Sequence, residues 1–269
     1  MKTGFLQLDC RREGRDINFN RVQELTRGVD FDLLLLPELF SSGYFFADKE
    51  QALEESEFIP GGPTTEFLWD LAREHQAIII GGLPEKGPQR AYNSAVVVDP
   101  TGYRGHHRKI HLTGWEQGIF APGETINIFS VGGLRLGLAI CYDLWFPEMT
   151  RVFLQEQVQL ICHPACFGGS MTLDIARARA LENVMSIITA NRVGWEEGPE
   201  GPEKFRGESR IINPAGELIK EAGDQEGLFV VDMDFPARPS QPRQLGADLL
   251  AEVQLYGTGA LRVKAWPAN

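Results

Sequence analysis

The chain has 269 residues, enough for one large domain or two small ones, and its 43% hydrophobic and 23% charged content is that of a folded globular protein rather than a disordered one. A formal net charge of −11 argues against a nucleic-acid or anionic-membrane surface, which needs clustered Lys and Arg, and leaves small molecules as the expected partners. The four cysteines, at positions 10, 141, 162 and 166, do not form a disulfide framework, Met1 leads straight into a strand, and no apolar run approaches the ~20 residues of a membrane span, so a reduced, cytoplasmic protein is expected.

In chain order, Gly4 to Cys10 reads as a first strand and Asp16 to Val29 as an amphipathic helix with Ile17, Val22, Leu25 and Val29 near one face. Phe31 to Leu36, with four consecutive leucines, reads as a fully buried strand ended by Pro37, and Glu38 follows at once. Thr64 to His75 is helical and Ala77 to Leu83 is again a strand, which completes a β-α-β-α-β pattern. Ser94 to Val98, the turn Asp99-Pro-Thr-Gly102 and Tyr103 to Arg108 then make a hairpin that brings antiparallel character into the sheet.

Gly133 to Glu148 is the stretch the chain is organised around. Leu134, Leu136, Leu138 and Ile140 share one face at period two, while Gly137 and Ala139 on the other are small enough for a second layer to approach closely. Pro147 suits a first helical turn, and Met149 to Gln157 continues as a helix, so Cys141 is placed on a strand-to-helix turn. Gln159 to His163 is a further strand, Met171 to Asn183 a helix, and Val184 to Ala190 a strand. The Gly/Pro/Glu-rich piece from Glu196 to Glu203 reads as a surface loop; Phe205 to Ile212, Glu217 to Lys220 and Gly227 to Met233 read as closing antiparallel strands. No low-complexity linker divides the chain, so a single domain over residues 1–269 is expected, with Pro236 to Asn269 as a C-terminal arm lying on its own domain or on a partner subunit.

Three polar residues leave strands at their ends: Glu38, Lys109 and Cys141. A thiol of ordinary pKa, ~8.5, is only a few per cent thiolate at neutral pH, so a nucleophilic cysteine needs a base to take its proton or a cation to stabilise its anion. Glu38 and Lys109 supply both types. Taken singly, each has an ordinary reading, a packed core cysteine and two solvated loop charges. Glu38, however, is set between Pro37 and the apolar Leu39-Phe40, where a solvated glutamate is out of place.

Pro37-Glu-Leu-Phe-Ser-Ser-Gly-Tyr44, Arg108-Lys-Ile-His-Leu112 and Cys141-Tyr-Asp-Leu-Trp-Phe-Pro-Glu148, in this order, resemble the three signature blocks of the nitrilase, or carbon–nitrogen hydrolase, superfamily. The resemblance continues in Arg179-Ala-Leu-Glu-Asn183, Ala190-Asn-Arg-Val-Gly194 and Phe205-Arg-Gly-Glu-Ser209, and so covers nearly the whole chain. It implies an α/β fold of α-β-β-α sandwich type with mixed sheets. It also implies Glu38 as general base and acid, Lys109 as electrostatic stabiliser and Cys141 as nucleophile, with the backbone N–H of Tyr142 beside the oxyanion. The family's second glutamate matches Glu116 in Trp115-Glu-Gln-Gly-Ile-Phe-Ala-Pro-Gly123, with Glu124 as the lesser candidate. Tyr44, Trp115, Tyr142, Trp145 and Phe167 lie in or near these blocks as candidate substrate-binding residues, core packing being the other reading of each.

Tyr142 and Asp143 resemble the amidase branches rather than true nitrilases, which carry Trp and Glu after the nucleophile. Trp145 stands where ω-amidase-like members carry arginine and is similar to N-carbamoylputrescine amidases. The expected function is therefore hydrolysis of a small linear amide or N-carbamoyl compound through a cysteine thioester, by a homodimer or higher homo-oligomer. Nitrile hydrolysis is the alternative, and a non-catalytic relative that binds a metabolite or a protein partner is the alternative of another class. A thiol redox role for Cys162 and Cys166 is disfavoured by their spacing, which is not Cys-X-X-Cys. His106, His107 and His111 lack the companion ligands of a metal site, and no Gly-rich phosphate motif is present, so neither metal nor cofactor is expected.

Overall fold

The computed structural model describes residues 1–235 and 243–257. The first half of the chain runs β1 (Lys2–Gln7), α1 (Arg15–Thr26), β2 (Leu33–Leu35), α2 (Lys49–Glu55), α3 (Pro63–His75), β3 (Ile78–Glu85), β4 (Tyr92–Asp99), β5 (Gly102–Arg108) and α4 (Glu116–Ile119). The second half runs β6 (Ile128–Val131), β7 (Leu134–Leu138), a 3-10 turn (Cys141–Trp145), α5 (Pro147–Gln155), β8 (Leu160–Ala165), α6 (Met171–Asn183), β9 (Ser186–Asn191), β10 (Val193–Gly198), β11 (Gly201–Arg206), β12 (Arg210–Ile212), β13 (Leu218–Glu221) and β14 (Gly227–Asp232). A short hairpin of β15 (Arg243–Gln244) and β16 (Ala247–Asp248) and helix α7 (Leu249–Gly257) follow.

Among the described residues the strands form two six-stranded sheets, ordered β14-β1-β2-β3-β4-β5 and β13-β12-β9-β8-β7-β6. Each has three parallel central strands, β1-β2-β3 in one and β7-β8-β9 in the other, flanked by antiparallel ones. The four leucines of residues 33–36 show how the layers form. Leu33 and Leu35 point into the core between the sheets, and Leu34 and Leu36 into a second core under α1 and α3; all four are fully buried. Burying each contributes about 1.5–3 kcal/mol, which is why this run reads so plainly as a two-faced strand.

β7 behaves as its pattern predicts. Leu134, Leu136, Leu138 and Ile140 enter the core between the sheets, and Ala139 enters a third core beneath α5 and α6. A Cβ at Gly137 would lie 2.8 Å from the Phe153 ring, so the glycine is what lets α5 rest on the strand. Two sheets back to back with helices on both outer faces make the α-β-β-α sandwich. Its organisation places Glu38 and Cys141 just beyond the carboxyl ends of central strands β2 and β7, where ligands gather in α/β proteins.

Several expectations need correction. The first helix ends at Thr26 rather than Val29; its buried stripe is Asn18, Val22 and Thr26, whereas Ile17 and, beyond the helix, Val29 are exposed. Polar residues can face inward there because the Asn18 amide bonds Arg11 and the Ser41 carbonyl, and the Thr26 hydroxyl donates to the Val22 carbonyl. Glu196 to Glu203 is not a loop but the centre of the antiparallel β10–β11 hairpin. Phe205 to Ile212 is not one strand; β11 and β12 lie in different sheets, separated at Gly207 and Glu208, which have positive φ. Of the expected C-terminal arm, residues 236–242 and 258–269 lie outside the described residues; α7 packs Leu249, Leu250 and Val253 against the α5/α6 core of the same chain. No helix among the described residues is long and apolar enough to cross a membrane.

Candidate active site

Glu38 is presented by the sharp exit of β2, where Leu39 has φ 48°. This backbone lies directly against β3: a Cβ at Gly82 would be 2.5 Å from the Leu39 nitrogen and 2.8 Å from Glu38 Cα. Glycine at 82 is therefore the condition for Glu38 to sit where it does.

Glu38, Lys109 and Glu116 are all completely buried. The Lys109 ammonium donates to Glu38 Oε1 and to Glu116 Oε1, each at 2.7 Å, and so bridges two carboxylates. The Asn93 side-chain amide on β4 donates to the same two oxygens, at 2.7 and 3.1 Å, while its backbone carbonyl accepts the Lys109 backbone N–H at 2.8 Å. Glu116 Oε2 accepts the Thr113 N–H at 2.9 Å, so its remaining lone pairs brace the loop between Lys109 and α4. Glu38 Oε2, by contrast, is buried with no hydrogen-bond partner among the described residues. Glu124 is exposed and lines an outer cleft with His106 and Arg108, so the structure brings Glu116 to the lysine and leaves Glu124 away from it.

Cys141 opens the 3-10 turn with φ 46°, a left-handed conformation that costs a non-glycine residue about 1–2 kcal/mol. The surroundings hold it there. His163 Nε2 is 3.0 Å from the Cys141 carbonyl, and its Nδ1 is 3.0 Å from the Thr189 hydroxyl; burial lowers the His163 pKa to about 4, so the ring is neutral and its Nε2–H donates. The Cys141 thiol is 7% exposed and points toward the Cys166 carbonyl, 3.8 Å away.

Asp143, fully buried, joins the nucleophile turn to the lysine loop. Its Oδ1 accepts the N–H groups of Ile110 and His111 at 3.1 and 2.8 Å, and its Oδ2 accepts that of Ile140 at 3.0 Å. Burial alone would raise its pKa, but His107, His111 and these amides outweigh it and hold the carboxyl well below the ordinary range. Two histidines of the 106–111 tract thus serve this carboxylate, His111 with Nδ1 3.0 Å from Asp143 Oδ1 and His107 with Nε2 3.5 Å from Oδ2, whereas His106 faces Tyr103 and Glu85.

The ionisation equilibria follow from burial. Desolvation, joined by the Glu38 charge, pushes the Cys141 thiol far up, so at rest Cys141 is a neutral thiol. Burial also raises Glu38, against the opposing pull of Lys109, which brings it closer to the neutral range. Burial would lower Lys109, but Glu116 and Glu38 more than reverse this and keep it charged. Raised pKa values on a buried carboxylate and thiol beside a locked cation are the arrangement expected of acid–base and nucleophilic groups.

The five predicted pocket aromatics fall into groups. Tyr44 and Trp115 pack with ring centroids 5.1 Å apart, together with Phe45 and Phe205. Tyr142 and Trp145, centroids 5.7 Å apart, lie on the nucleophile turn, and Trp145 Nε1 donates to Thr172. Phe167 packs beside His163 in the cluster that contains Cys141. Sequence reasoning overlooked Asn93, and gave Asp143 no structural part. The available signal is an amide at the second position of β4, just ahead of its apolar run Ala95 to Val98.

A four-layer sandwich with a buried Glu-Lys-Glu cluster beside a thiol at the strand ends defines a cysteine hydrolase scaffold. Comparison with known proteins agrees: the carbon-nitrogen hydrolase family model matches residues 6–240. The chain is 36% identical over 240 residues to a nitrilase of Pyrococcus abyssi, covering 87% of this chain and 90% of that protein. It is 32% identical over 222 residues to an N-carbamoylputrescine amidase of Solanum lycopersicum, covering 74% of each. Among solved structures it superposes with a TM-score of 0.79 and 27% identity on an amidase from Nesterenkonia sp. AN1 carrying acrylamide added to its active-site cysteine, over 97% of this chain and 100% of that one. The chain belongs to the carbon-nitrogen hydrolase family.

Proposed function

We propose that the chain hydrolyses a small linear amide or N-carbamoyl compound through a covalent Cys141 intermediate. The observation that carries this is the division of labour at Glu38: Oε1 is saturated by Lys109 and Asn93, while the buried Oε2 is left without a partner and is available to a proton. Glu38 takes the thiol proton as Cys141 attacks the carbonyl carbon. The electron pair moves onto the carbonyl oxygen, which Lys109 and the Tyr142 N–H stabilise. Glu38 then gives that proton to the departing nitrogen, and ammonia leaves behind a thioester, or a thiocarbamate from a carbamoyl substrate. Water, deprotonated by Glu38, cleaves this intermediate to the acid, or to amine and carbon dioxide, and restores the thiol. Glu116 holds Lys109 against the attraction of Glu38, so the cation stays at one place through the cycle.

Tyr44, Trp115, Tyr142, Trp145 and Phe167 form the proposed pocket wall. Support for the amide and carbamoyl classes comes from the names of the amidase relatives, and the Pyrococcus relative's name keeps a nitrile as the second reading. Four free, buried cysteines support a reducing, cytoplasmic setting, and exposed Met171 and Leu181 on α6 support self-association through that helical face.

The test is ammonia release from propionamide, glutaramate, N-carbamoylputrescine and propionitrile, with Cys141→Ala and Glu38→Gln alongside. Release from one class, abolished in both variants, is expected. Silence of the wild type on the whole panel, with Cys141 also inert to iodoacetamide, refutes the hydrolase reading and favours a binding protein.

A further inference from the structure

Glu196 stands in the stretch that reads as a surface loop, yet only 8% of it is exposed, and both its oxygens face one piece of main chain. Oε1 accepts the N–H groups of Tyr44 and Phe45 at 2.9 and 2.6 Å, and Oε2 lies 3.1 Å from the Tyr44 nitrogen. Arg192, fully buried, donates to Oε2 through one guanidinium nitrogen and to the Cys10 carbonyl through the other at 2.6 Å, with the Phe205 ring 4.2 Å from its Cζ. The segment that leaves Glu38 is thus pinned to the β10–β11 hairpin, about 150 residues further along the chain. Gly43 allows the approach, for it has φ 78° and a Cβ there would lie 3.2 Å from Glu196 Oε2 and 2.9 Å from Arg12 Cδ.

What this pin controls is Tyr44. Its ring is wedged between Phe45, Trp115 and Phe205, and Trp115 immediately precedes Glu116. Only 7% of Tyr44 is exposed, yet its hydroxyl, which makes no hydrogen bond among the described residues, is not sealed off from accessible space. Tyr44 shares a buried cluster with Leu39, Trp115 and Cys166, and Cys166 lies between the Glu38 carbonyl, 3.2 Å from its thiol, and the Cys141 thiol, 3.8 Å from its carbonyl, which sets the ring beside the reacting groups; burial raises the phenol's pKa and keeps the hydroxyl a neutral donor. An unengaged phenol at that position is a hydrogen-bonding group awaiting a ligand.

We propose that the Tyr44 hydroxyl hydrogen-bonds the carboxamide of the bound substrate, and that Glu196 is a positioning residue that fixes where this hydroxyl stands. The inference rests on the amide-hydrolase reading above and extends it to residues outside the Glu-Lys-Cys constellation.

A double-mutant cycle on kcat/KM tests it, run with Tyr44→Phe, Glu196→Gln and the pair, on whichever of propionamide, glutaramate and N-carbamoylputrescine the wild type turns over fastest. Tyr44→Phe is expected to lower kcat/KM about tenfold, as the loss of one hydrogen bond to substrate does, and Glu196→Gln by a similar factor. In the Tyr44→Phe background, Glu196→Gln is expected to change kcat/KM by less than twofold, because the group it positions is already gone. Equal losses in both backgrounds would make Glu196 a general element of the fold and overturn its assigned role. A Tyr44→Phe variant within twofold of wild type would overturn the substrate contact. If Glu196→Gln does not fold, Arg192→Lys replaces it in the same cycle, keeping a cation beside Glu196 while removing the donor to Cys10. Wild-type turnover that is lost in Cys141→Ala establishes the hydrolase reading first; an inactive wild type sinks both readings, whereas an active wild type with an indifferent Tyr44→Phe sinks this one alone.

Discussion

Replacing Lys109 with methionine tests the electrostatic logic of the site apart from turnover. Methionine keeps the length and most of the volume of the lysine stem, so no large cavity is made, but Glu38 and Glu116 lose the cation they share at 2.7 Å in a region with no solvent exposure. Removing one partner of a buried ion pair destabilises by about 3–5 kcal/mol, a large part of the ~5–15 kcal/mol that holds a domain folded. The penalty is pH dependent, and its sign can be worked out. Burial and Glu116 raise the Glu38 pKa, and Lys109 is the main influence that lowers it, so in Lys109→Met the folded-state pKa climbs further above its unfolded value. The folded variant then binds more protons than the unfolded chain. Its stability is greatest below the unfolded glutamate pKa of ~4.3 and declines as pH rises to the folded-state value, by about 1.4 kcal/mol per pH unit for one proton. Urea unfolding of the variant at pH 5, 6, 7 and 8 should therefore show a midpoint falling steadily relative to wild type. Adding Glu116→Gln should recover most of the loss at pH 8 by removing one of the stranded charges. A variant whose deficit is below 1 kcal/mol at pH 8, or is the same at all four pH values, refutes the reasoning.

Two further substitutions test the parts that position the reacting groups. Gly82→Ala places a Cβ 2.5 Å from backbone that cannot move without carrying Glu38 with it; ammonia release should fall ~100-fold or more while the circular dichroism spectrum stays native, and near-wild-type activity would show that Glu38 tolerates displacement. Asp143→Ala removes the acceptor of three backbone N–H groups, which at about 1–3 kcal/mol for each donor left unsatisfied should cost several kcal/mol in urea unfolding; a loss under 1 kcal/mol would mean that the clasp between the lysine loop and the Cys141 turn is dispensable.

The scaffold was legible where burial alone decides. Leu33 to Leu36 had to be buried on both faces, and Leu134 to Ile140 carried a large face and a small one, so both central strands and the exits that bear Glu38 and Cys141 could be placed from local pattern. The polar interior was less legible because its partners are remote in sequence: Asn93 meets Glu38 across 55 positions, and Glu196 meets Tyr44 across 152. A glutamate in Trp195-Glu-Glu-Gly198 has the composition of a solvated loop, and nothing nearby shows that its oxygens are needed by two distant N–H groups. The β10–β11 hairpin was hidden for the same reason. Its residues Glu197, Pro202, Glu203 and Lys204 are turned to solvent or lie at the edge, so the apolar alternation that betrays a half-buried strand is missing. At α1 pattern misleads the other way: Ile17 is apolar yet exposed, and Asn18 and Thr26 occupy the core face because each satisfies its polar atoms against nearby backbone.

The charge count of the cluster explains why a thiol with a raised pKa suits this site. With Glu38 and Glu116 ionised and Lys109 protonated, the cluster carries one net negative charge, and a resting Cys141 thiolate would add a second in a region from which water is excluded. The site therefore holds the proton on sulfur until an acceptor for the electron pair arrives. In the proposed reaction, when a carbonyl binds, charge that begins on sulfur flows to the carbonyl oxygen while the proton moves to Glu38, which leaves one carboxylate, one ammonium and one oxyanion. The net charge is unchanged through the step, and the new anion can be met by a cation already fixed between two carboxylates. Lys109 needs no reorganisation to meet it, since Asn93 and Glu116 hold their places before and after the proton moves. An isolated thiolate would be the more basic and more readily oxidised nucleophile; a thiol released only by a substrate that can accept its electrons confines reactivity to the moment of attack. In the proposed reaction the unpaired Glu38 Oε2 is the feature on which the chemistry turns, because its lone pairs are free to take the thiol proton whereas Oε1 already accepts from both Lys109 and Asn93.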